Sequence, residues 1–449
     1  MKRFYSLLVF ILSAATLQAG TITFQYTTNK ADAIYKAGDK IVFTVKMLED
    51  GKVPQDKYIQ YRLHHDHKVV KRGIVSSAND LIIETVSEKP SWVFIDVWAK
   101  DSKKQFIKQE VKRKNKTVKE LVKGGIGAMV EPEKLLPNQP EPADFDEFWQ
   151  NIKNELAKVP VKVLEIKQFD RKDLRAYDVK IACAGEKPVS GILCIPSDAK
   201  PGSCPAVVSF QGAGVNSAFA DSALVRVGAI TFNVNAHGIV NGKPAKFYQD
   251  LRKNYYFTTL DEKRQKNYLR WNRDDRNKYY MRDMFIRVLR ALEYVKTLPE
   301  WDKKHLVATG TSQGGTQSIV AAALDKDVTF VRAGVPGWCD ISGVTANRRS
   351  GGGNIYSLED LKKEPHLVKE MSYFDCMFFA RRIKCPIYIN TGFIDTTCAP
   401  SSVFAAYNQI PATTEKHMQT TPDDGHGAKH TIGFKALKKY ITDITKKGK

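Results

Sequence analysis

After its first twenty residues, the sequence has no apolar run long enough to cross a bilayer, so we expect no membrane span in the mature chain. It also lacks CxxC pairs and the cysteine and histidine spacing of zinc sites, and we expect no metal and no cofactor. The seven cysteines are Cys183, Cys194, Cys204, Cys339, Cys376, Cys385 and Cys398. Several have apolar neighbours, so we expect most to be small buried side chains, and one disulfide stays open as an alternative.

Acidic residues are few relative to basic ones: 49 Asp and Glu oppose 70 Lys and Arg, for a formal net charge of +21. Such a charge could concentrate an acidic polysaccharide near the protein. Scattered lysines also solvate a surface without any partner, and we favour this simpler interpretation. Nucleic-acid-binding proteins are often basic too, but no such module is recognisable, so nucleic acid is not an expected partner.

The N-terminus has the three parts of a secretory signal peptide. Residues 1–3 carry positive charge, residues 7–17 are apolar, and residues 18–20 supply the small residues of a cleavage region. A membrane anchor is the competing interpretation, but the apolar run is short and is diluted by threonine and alanine. We therefore predict that residues 1–19 are a signal peptide and that the protein is secreted or periplasmic.

Residues 20–123 show the alternation of apolar and polar residues that is typical of strands, with turn residues at short intervals. This pattern predicts a small all-β, immunoglobulin-like sandwich as an N-terminal domain. The domain could contact carbohydrate, or it could be a spacer or packing partner for the domain that follows. Both interpretations stay open, because no cluster of catalytic residue types occurs in it.

Residues 124–449 are predicted to form a second domain, of the α/β class. A linker with glycine and proline opens it. A polar, aromatic-rich stretch at 239–280 could be a lid over the site or a packing insertion, and its low apolar content leads us to expect a surface insertion. From residue 205, short apolar strands alternate with helical segments, which indicates a mostly parallel central sheet with helices on both faces. The strands are expected at residues 206–210, 229–234, 305–309 and 386–390.

The motif GTSQGG at residues 310–315 follows one of these strands and precedes a helix of small residues. This is the context of a nucleophile elbow, in which a sharp turn lifts the serine hydroxyl above the carboxyl end of the sheet. Glycines on both sides of Ser312 are needed because the turn is tight and neighbouring strands crowd it. We predict that Ser312 is the nucleophile of a serine hydrolase.

A serine hydroxyl needs an imidazole to take its proton. His426 lies after the final predicted strand and before the last helix, and His430 is a nearby rival that is closer to that helix. Asp395 follows the penultimate strand, so serine, aspartate and histidine occur in the order of an α/β-hydrolase triad. Asp423 and Asp424 lie too close to the histidine along the chain, and we expect both to be solvated turn residues.

The oxyanion of a tetrahedral intermediate requires two backbone N–H donors that are already in place. The first is expected from Gln313, directly after the nucleophile. The second is expected from the loop after the first central strand, at residues 211–214, where we choose Ala213.

From about residue 142 onwards, roughly two-thirds of the chain resembles carbohydrate esterase family seven, the acetyl xylan esterases and cephalosporin-C deacetylases of the α/β-hydrolase superfamily. The matching segments are DFDEFW at 144–149, the elbow at 310–315, VPGWCD at 335–340 and GFIDTTCAPSSVFAAYN at 392–408. The resemblance implies metal-independent removal of acetyl groups from sugar hydroxyls through an acyl-serine intermediate. It implies the roles already given to Ser312, Asp395 and His426, and it places the second oxyanion donor at Ala213.

The sequence departs from the family pattern at several positions. His237 stands where the family usually carries arginine, Gly427 stands where it has glutamate, and Gln211 replaces a histidine in the oxyanion loop. Joint loss of the arginine and the glutamate would leave no charge unpaired if the two interact.

The expected function is that of a secreted serine carboxylesterase that removes acetyl groups from acetylated plant polysaccharide or oligosaccharide. A feruloyl or uronoyl esterase, or a serine peptidase on the same fold, is the alternative within the enzyme class. A glycan-binding protein with a decayed hydrolase domain is disfavoured, because the serine, aspartate and histidine are all present in order. The expected partner is the acetylated substrate, and an oligomer stays open.

Overall fold

A computed structural model describes residues 20–113, 116–169, 171–172, 174–259, 265–352 and 355–447. The proposed signal peptide, residues 1–19, lies outside the described residues and stays a prediction. Within these ranges, no helix is both long and apolar enough to cross a membrane.

The N-terminal part is all β, as predicted. Its strands are β1 (Ile22–Thr28), β2 (Ile34–Tyr35), β3 (Ile41–Glu49), β4 (Tyr58–His65), β5 (Lys68–Ser76), β6 (Leu81–Thr85), β7 (Ser91–Lys100), β8 (Lys108–Arg113), β9 (Lys116–Leu121) and β10 (Lys123–Val130). One sheet has the order β1–β3–β6, a second has the order β2–β10–β7–β4–β5, and β8 pairs with β9. Every second residue of β3 is buried, as the two-residue period of a strand requires when one face covers a core.

The last strand of this part begins at the predicted domain boundary. Strand β10 pairs with β7 along its whole length, so residues 124–130, which we expected in a linker, form part of the five-stranded sheet. Its glycines are needed for close contact: a Cβ on Gly127 would lie 2.0 Å from the carbonyl oxygen of Phe393, and one on Gly125 would lie 2.3 Å from that of Ile95. The glycines therefore permit packing and do not mark a flexible connection.

The second part is built on a nine-stranded sheet. Its strands are β11 (Val163–Phe169), β12 (Leu174–Ile181), β13 (Val189–Pro196), β14 (Cys204–Phe210), β15 (Ile230–Val234), β18 (Trp301–Thr311), β19 (Val328–Gly334), β20 (Ile387–Gly392) and β21 (Lys416–Thr421). The order is β11–β12–β13–β15–β14–β18–β19–β20–β21. The pairs β11–β12, β12–β13 and β13–β15 are antiparallel. The pairs from β15 through to β21 are parallel. This confirms the predicted mostly parallel central sheet.

Helices cover both faces of this sheet, as predicted. The helices are α1 (Phe145–Ala157), α2 (Ser222–Val225), α3 (Ala245–Leu251), α4 (Tyr280–Lys296), α5 (Gln313–Leu324), α6 (Leu358–Lys363), α7 (Leu367–Ser372), α8 (Cys376–Ala380), α9 (Pro400–Gln409) and α10 (Thr431–Lys447). Alternate residues of one strand face opposite sides. Val208 of β14 packs in the core under α4 and α5, whereas Val207 packs against Leu437 and Ile441 of α10.

The stretch at 239–280 differs from the expected surface insertion. It contains α3, a π-helical turn at Arg252–Tyr256, and a hairpin of β16 (Phe257–Thr259) and β17 (Gln265–Asn267). The stretch is not confined to the surface, because three of its tyrosines are buried: Tyr256, Tyr268 and Tyr279. A buried tyrosine needs a partner for its hydroxyl. Tyr279 donates to the Leu269 carbonyl at 2.9 Å, and Lys187 donates to Tyr256 at 2.7 Å.

Candidate active site

The turn that carries Ser312 has the strained geometry of a nucleophile elbow. Strand β18 ends at Thr311 and helix α5 begins at Gln313, so Ser312 alone makes the turn, with φ 60° and ψ −125°. A non-glycine residue in such a conformation costs about 1–3 kcal/mol and persists only where its surroundings hold it. Here Ser312 N–H donates to the Gly334 carbonyl at 2.8 Å, and the Ser312 carbonyl accepts from Gly337 N–H at 3.3 Å.

The glycines around the serine are required by close contact with the backbone of a neighbouring strand and of the helix that follows. A Cβ on Gly314 would lie 2.1 Å from the Phe210 carbonyl oxygen, and one on Gly310 would lie 2.3 Å from the Gly314 carbonyl oxygen. The nearest atoms are backbone, which cannot move aside as a flexible side chain can. The crowding that the motif indicated is therefore present on both sides of the turn.

The structure brings together the three side chains that the sequence singled out. His426 Nε2 lies 3.0 Å from Ser312 Oγ, and His426 Nδ1 lies 2.9 Å from Asp395 Oδ2. Asp395 follows β20, and His426 lies between β21 and α10, so all three come from the carboxyl edge of the sheet. Because an ionised carboxylate only accepts, the imidazole proton sits on Nδ1, and Nε2 is left to accept the serine proton.

Asp395 is held rigidly where it meets the imidazole. Its side chain is fully buried, and Oδ1 accepts hydrogen bonds from Thr397 N–H at 2.8 Å and Cys398 N–H at 2.9 Å. These donors fix the carboxylate and leave Oδ2 directed at His426.

The residues weighed against His426 and Asp395 in the sequence, which are His430, Asp423 and Asp424, lie elsewhere. His430 is buried beside the start of α10, and its Nδ1 has no hydrogen-bond partner within the described part of the chain. Burial, with a smaller effect of Arg332, lowers the pKa of His430 to about 3. Asp423 is exposed, and Asp424 accepts from Gly425 N–H in the turn, so neither contacts the imidazole as an orienting acid would.

The two amides proposed for the oxyanion hole lie on either side of the serine. Gln313 is the first residue of α5, and the loop with Ala213 passes so close that a Cβ on Gly212 would lie 3.8 Å from Ser312 Cβ. Neither Gln313 N–H nor Ala213 N–H donates to an acceptor among the residues that the structure describes. Both donors are therefore free to bind a developing negative charge. Gln313 N–H also lies at a helix N-terminus, where the helix dipole favours an anion.

His237, at a position that departs from the family pattern, supports the loop with Ala213. Its Nε2 lies 2.9 Å from the Gly214 carbonyl and its Nδ1 lies 2.6 Å from the Tyr280 hydroxyl. A carbonyl only accepts, so Nε2 carries the proton and Nδ1 accepts from Tyr280. Burial, with a smaller effect of Arg287, lowers the pKa of His237 to about 3, so the ring is neutral. Gln211 also supports the loop, donating to the Ser217 carbonyl at 2.9 Å.

Three further side chains lie near the triad, and the sequence did not predict any of them as a neighbour of the site. Tyr268 donates to Gln313 Oε1 at 2.6 Å, and Trp92 of β7 donates to the Phe393 carbonyl at 2.6 Å, beside Asp395. The Cys398 thiol is fully buried against the Ser312 side chain. For Cys398 the sequence predicted a small buried side chain, which is what the structure shows. Nothing in the local sequence marks Tyr268 or Trp92 as neighbours of the site.

The donor atoms of Asp395, Cys398 and His426 lie within 4.8 Å of one another, close enough to consider a metal. Burial raises the pKa of the Cys398 thiol well above its ordinary value, which favours the neutral form, a poor metal ligand. Asp395 and His426 already bond each other. The group therefore fits a proton relay better than a metal centre.

All seven cysteines are free thiols, five buried and two half-buried. The expectation of small buried side chains is confirmed for most of them. The open alternative of one disulfide is not realised.

A strained serine at the carboxyl edge of a mostly parallel sheet, bonded through an imidazole to a buried carboxylate, defines an α/β-hydrolase-type site. Residues 129–443 match the acetyl xylan esterase (AXE1) family. The chain belongs to this family, which confirms the resemblance, and it is a carboxylic-ester hydrolase.

A curated relative has nearly the same length as this chain. It is the acetyl esterase Axe7A of Xylanibacter ruminicola, 30% identical over 441 residues, which are 95% of this chain and 93% of the relative. Two solved structures have the same fold: acetyl xylan esterases from Paenibacillus sp. R4 and from Thermoanaerobacterium sp. JW/SL YS485. Each has a TM-score of 0.58 and 23% identity, covering 70% of this chain and 98% of its own. These likenesses confirm the α/β-hydrolase fold.

Proposed function

We propose that the protein is an exported serine acetylesterase that removes acetyl groups from acetylated plant polysaccharide or oligosaccharide. One observation carries the proposal: the hydrogen-bonded chain from Ser312 Oγ through His426 to Asp395, at 3.0 Å and 2.9 Å. Family membership and the name of the Xylanibacter relative support the acetyl group. The first 19 residues support export, and an N-terminal sequence of the mature protein that still contains them would contradict it.

The proposed reaction begins with attack of Ser312 Oγ on the acetyl carbonyl carbon. His426 Nε2 takes the hydroxyl proton, and Asp395 stabilises the imidazolium that forms. The N–H groups of Gln313 and Ala213 stabilise the negative oxygen of the tetrahedral intermediate. Breakage of the ester C–O bond releases the sugar hydroxyl, which receives the proton from His426, and leaves acetyl-serine.

Deacylation repeats these steps with water as the nucleophile. His426 removes a proton from water as its oxygen attacks the acetyl-serine carbonyl, and the same two amides stabilise the second intermediate. Return of the proton to Ser312 Oγ releases acetate. The half-exposed side chain of His426 and the partly exposed Ser312 leave the site open to water.

Replacement of the nucleophile tests the proposal. We expect Ser312→Ala to lower kcat on small acetyl esters and on acetylated xylo-oligosaccharides by about 10⁴-fold or more, because the substitution removes the hydroxyl that forms the acyl-enzyme. Ser203→Ala, in a surface turn, serves as the control. Activity that persists in Ser312→Ala would refute the assignment. A wild-type preference for long or aromatic acyl groups over acetyl would refute the substrate class.

A further inference from the structure

One face of the central sheet carries a row of polar side chains at its carboxyl end. In strand order the row is Asn233, Ser209, Thr309 and Arg332, in register across β15, β14, β18 and β19. Two residues earlier on the same face, Val207, Val307 and Phe330 pack under α10. Helix-covered faces of parallel sheets are ordinarily apolar throughout. The polar row departs from this pattern.

The row lines a cavity of about 500 Å³. Two rings, Phe219 and Phe434, also line it, and they are 58% and 56% exposed. Phe434 lies three residues before Leu437 on the face of α10 that packs on the sheet, yet more than half of it is in solvent. The cavity wall also includes Thr311 and Ala213, which adjoin the nucleophile and the oxyanion loop. The cavity is therefore open and lies beside the catalytic serine.

Arg332 is a buried cation without a counter-ion. Its residue is 5% exposed, and it donates to Thr309 Oγ1 at 3.2 Å and Thr311 Oγ1 at 3.5 Å. Its Nε has no hydrogen-bond partner and no carboxylate pairs with it among the described residues, but the Phe434 ring covers the guanidinium, with Cζ 3.6 Å from the ring centroid. Burial lowers the pKa of Arg332 to about 10, so the guanidinium stays charged at neutral pH. The ring compensates part of this charge, but buried charges are normally paired with an opposite charge, and the lack of one here indicates an anion that is absent from the chain itself.

The other titratable and polar groups near the cavity form no ion pair with the guanidinium within the described residues. His430 is neutral, for the reason given above. Asp221, at the edge of the cavity, accepts from Ala223 N–H as the cap of α2. Asn233 donates to Ser209 Oγ at 2.8 Å and accepts from Phe219 N–H at 3.1 Å, so the neutral part of the row is satisfied internally. The guanidinium is the group left to meet a ligand.

We propose that this cavity is a subsite for the carboxylate of a uronic-acid side group on the polysaccharide substrate, an inference that rests on the proposed function. One guanidinium matches one carboxylate in charge and in planar, bidentate geometry. A doubly charged phosphate would need a second cation. The exposed ring of Phe219 offers an apolar face to a sugar ring, which a free acetate ion would not use, whereas the ring of Phe434 stacks on the guanidinium.

The position of the cavity fits this role. Because its wall includes Thr311 and Ala213, an acidic sugar bound there lies next to the sugar whose acetyl group reaches Ser312. The net charge of +21 would favour the approach of an acidic polysaccharide.

Direct binding tests the subsite without catalysis. We expect glucuronate to bind the wild-type protein, measured by calorimetry or ligand-observed NMR, and to bind Arg332→Gln at least about tenfold more weakly, as loss of a charge-assisted pair implies. Arg62→Gln, a guanidinium 5.1 Å from the Trp98 ring in the N-terminal part, is the matched control and should keep full affinity. Equal affinity in Arg332→Gln and wild type would overturn the subsite.

A second variant guards against misfolding of Arg332→Gln. Phe219→Ala removes an exposed ring, so it should fold, and it should weaken glucuronate binding several-fold through lost ring contact. Acetate is the probe for the other carboxylate source. If acetate binds wild type as tightly as glucuronate and Phe219→Ala changes neither, the site takes a free carboxylate, and the uronic-acid assignment is wrong.

Kinetics with matched substrates connect the subsite to the reaction. Acetylated xylo-oligosaccharides with and without a glucuronic-acid side group are compared, and we expect Arg332→Gln to lower the acidic-to-neutral ratio of kcat/KM by about tenfold, mainly through KM. An unchanged ratio would overturn the proposal. If wild type hydrolyses neither these substrates nor small acetyl esters, the proposed function fails, whereas glucuronate binding still decides the subsite.

Discussion

At the scale of single residues, two buried histidines lie near the catalytic loops without a part in the proposed proton transfer. His237 supports the oxyanion loop and His430 lies at the start of α10. Burial is the main reason that the pKa of each is lowered to about 3. Both rings are thus neutral in the folded chain under conditions in which an unfolded histidine, with a pKa near 6.5, binds a proton.

This difference predicts a dependence of stability on pH. Because the folded pKa lies below the unfolded one, the unfolded chain binds more protons between pH 6.5 and 3. The contribution to stability is complete above about pH 6.5 and is lost as the pH falls, by up to about 1.4 kcal/mol per pH unit for each histidine. We expect His430→Gln to reduce the slope of the unfolding free energy against pH by the equivalent of about one bound proton. The slope is measured by urea unfolding between pH 6.5 and 4.5.

The control for that experiment is His366→Gln, which replaces an exposed histidine before α7. The slope of this variant and that of the wild type are the two references. A slope in His430→Gln that equals both would show that His430 does not titrate differently in the folded and unfolded chains.

At the scale of elements, the strands of the N-terminal part hold the catalytic loops. Trp92 of β7 donates to the Phe393 carbonyl at 2.6 Å, and Gly127 N–H of β10 donates to the Pro422 carbonyl at 2.8 Å. Phe393 lies two residues before Asp395, and Pro422 lies four before His426. The all-β part therefore packs against the catalytic domain where the acid and base are placed, in agreement with the packing-partner interpretation.

Replacement of Trp92 tests this support. Trp92→Phe removes the N–H donor and leaves the buried Phe393 carbonyl unsatisfied, which costs about 1–3 kcal/mol of unfolding free energy. We expect kcat on a small acetyl ester to fall about tenfold with KM nearly unchanged, because Asp395 is less well oriented toward His426. Trp98→Phe, at a partly exposed position on the same strand, is the control. Equal kcat in both variants, measured well below Tm, would contradict a positioning role for Trp92.

At the scale of the whole molecule, both parts share one hydrophobic core. The same cluster of buried residues includes Phe43 and Ile95 in the N-terminal sheets and Leu292 and Ile319 in the helices on the central sheet. Helix α9 contacts both β20 and β7. Domains joined by a small polar interface tend to move and unfold separately, whereas a continuous apolar interface couples them.

We therefore expect one cooperative unfolding transition. In differential scanning calorimetry, a single peak should appear, with a calorimetric enthalpy equal to the van't Hoff enthalpy. Trp92→Phe should lower the temperature of that peak without splitting it. Two separated peaks in the wild type would show that the parts unfold independently and that the shared core does not couple them.

Much of this arrangement could be predicted from short stretches of sequence. The GTSQGG motif with its flanking strand and helix indicated the elbow, because tight turns depend on glycines that lie next to the serine in the chain. The order of Ser312, Asp395 and His426 then indicated which side chains would meet, and the structure brings these three together. Their catalytic roles stay a prediction until Ser312→Ala is assayed.

Other features could not be predicted in this way. Glycines in residues 124–127 resemble a linker by composition, and only the contact with Phe393 shows that they belong to a packed strand. Tyr268 lies in a polar stretch, and its bond to Gln313 spans 45 residues. The Trp92 bond to Phe393 spans 301 residues.

The sequence by itself determined the class of fold, the elbow and the identity of the nucleophile candidate, because periodicity and turn chemistry act over a few neighbouring residues. The tertiary structure decided which distant groups support the acid and base, and it placed Arg332 in one row with Asn233, Ser209 and Thr309. That row depends on the order and register of four strands, which are set by the packing of the whole sheet and not by any local pattern.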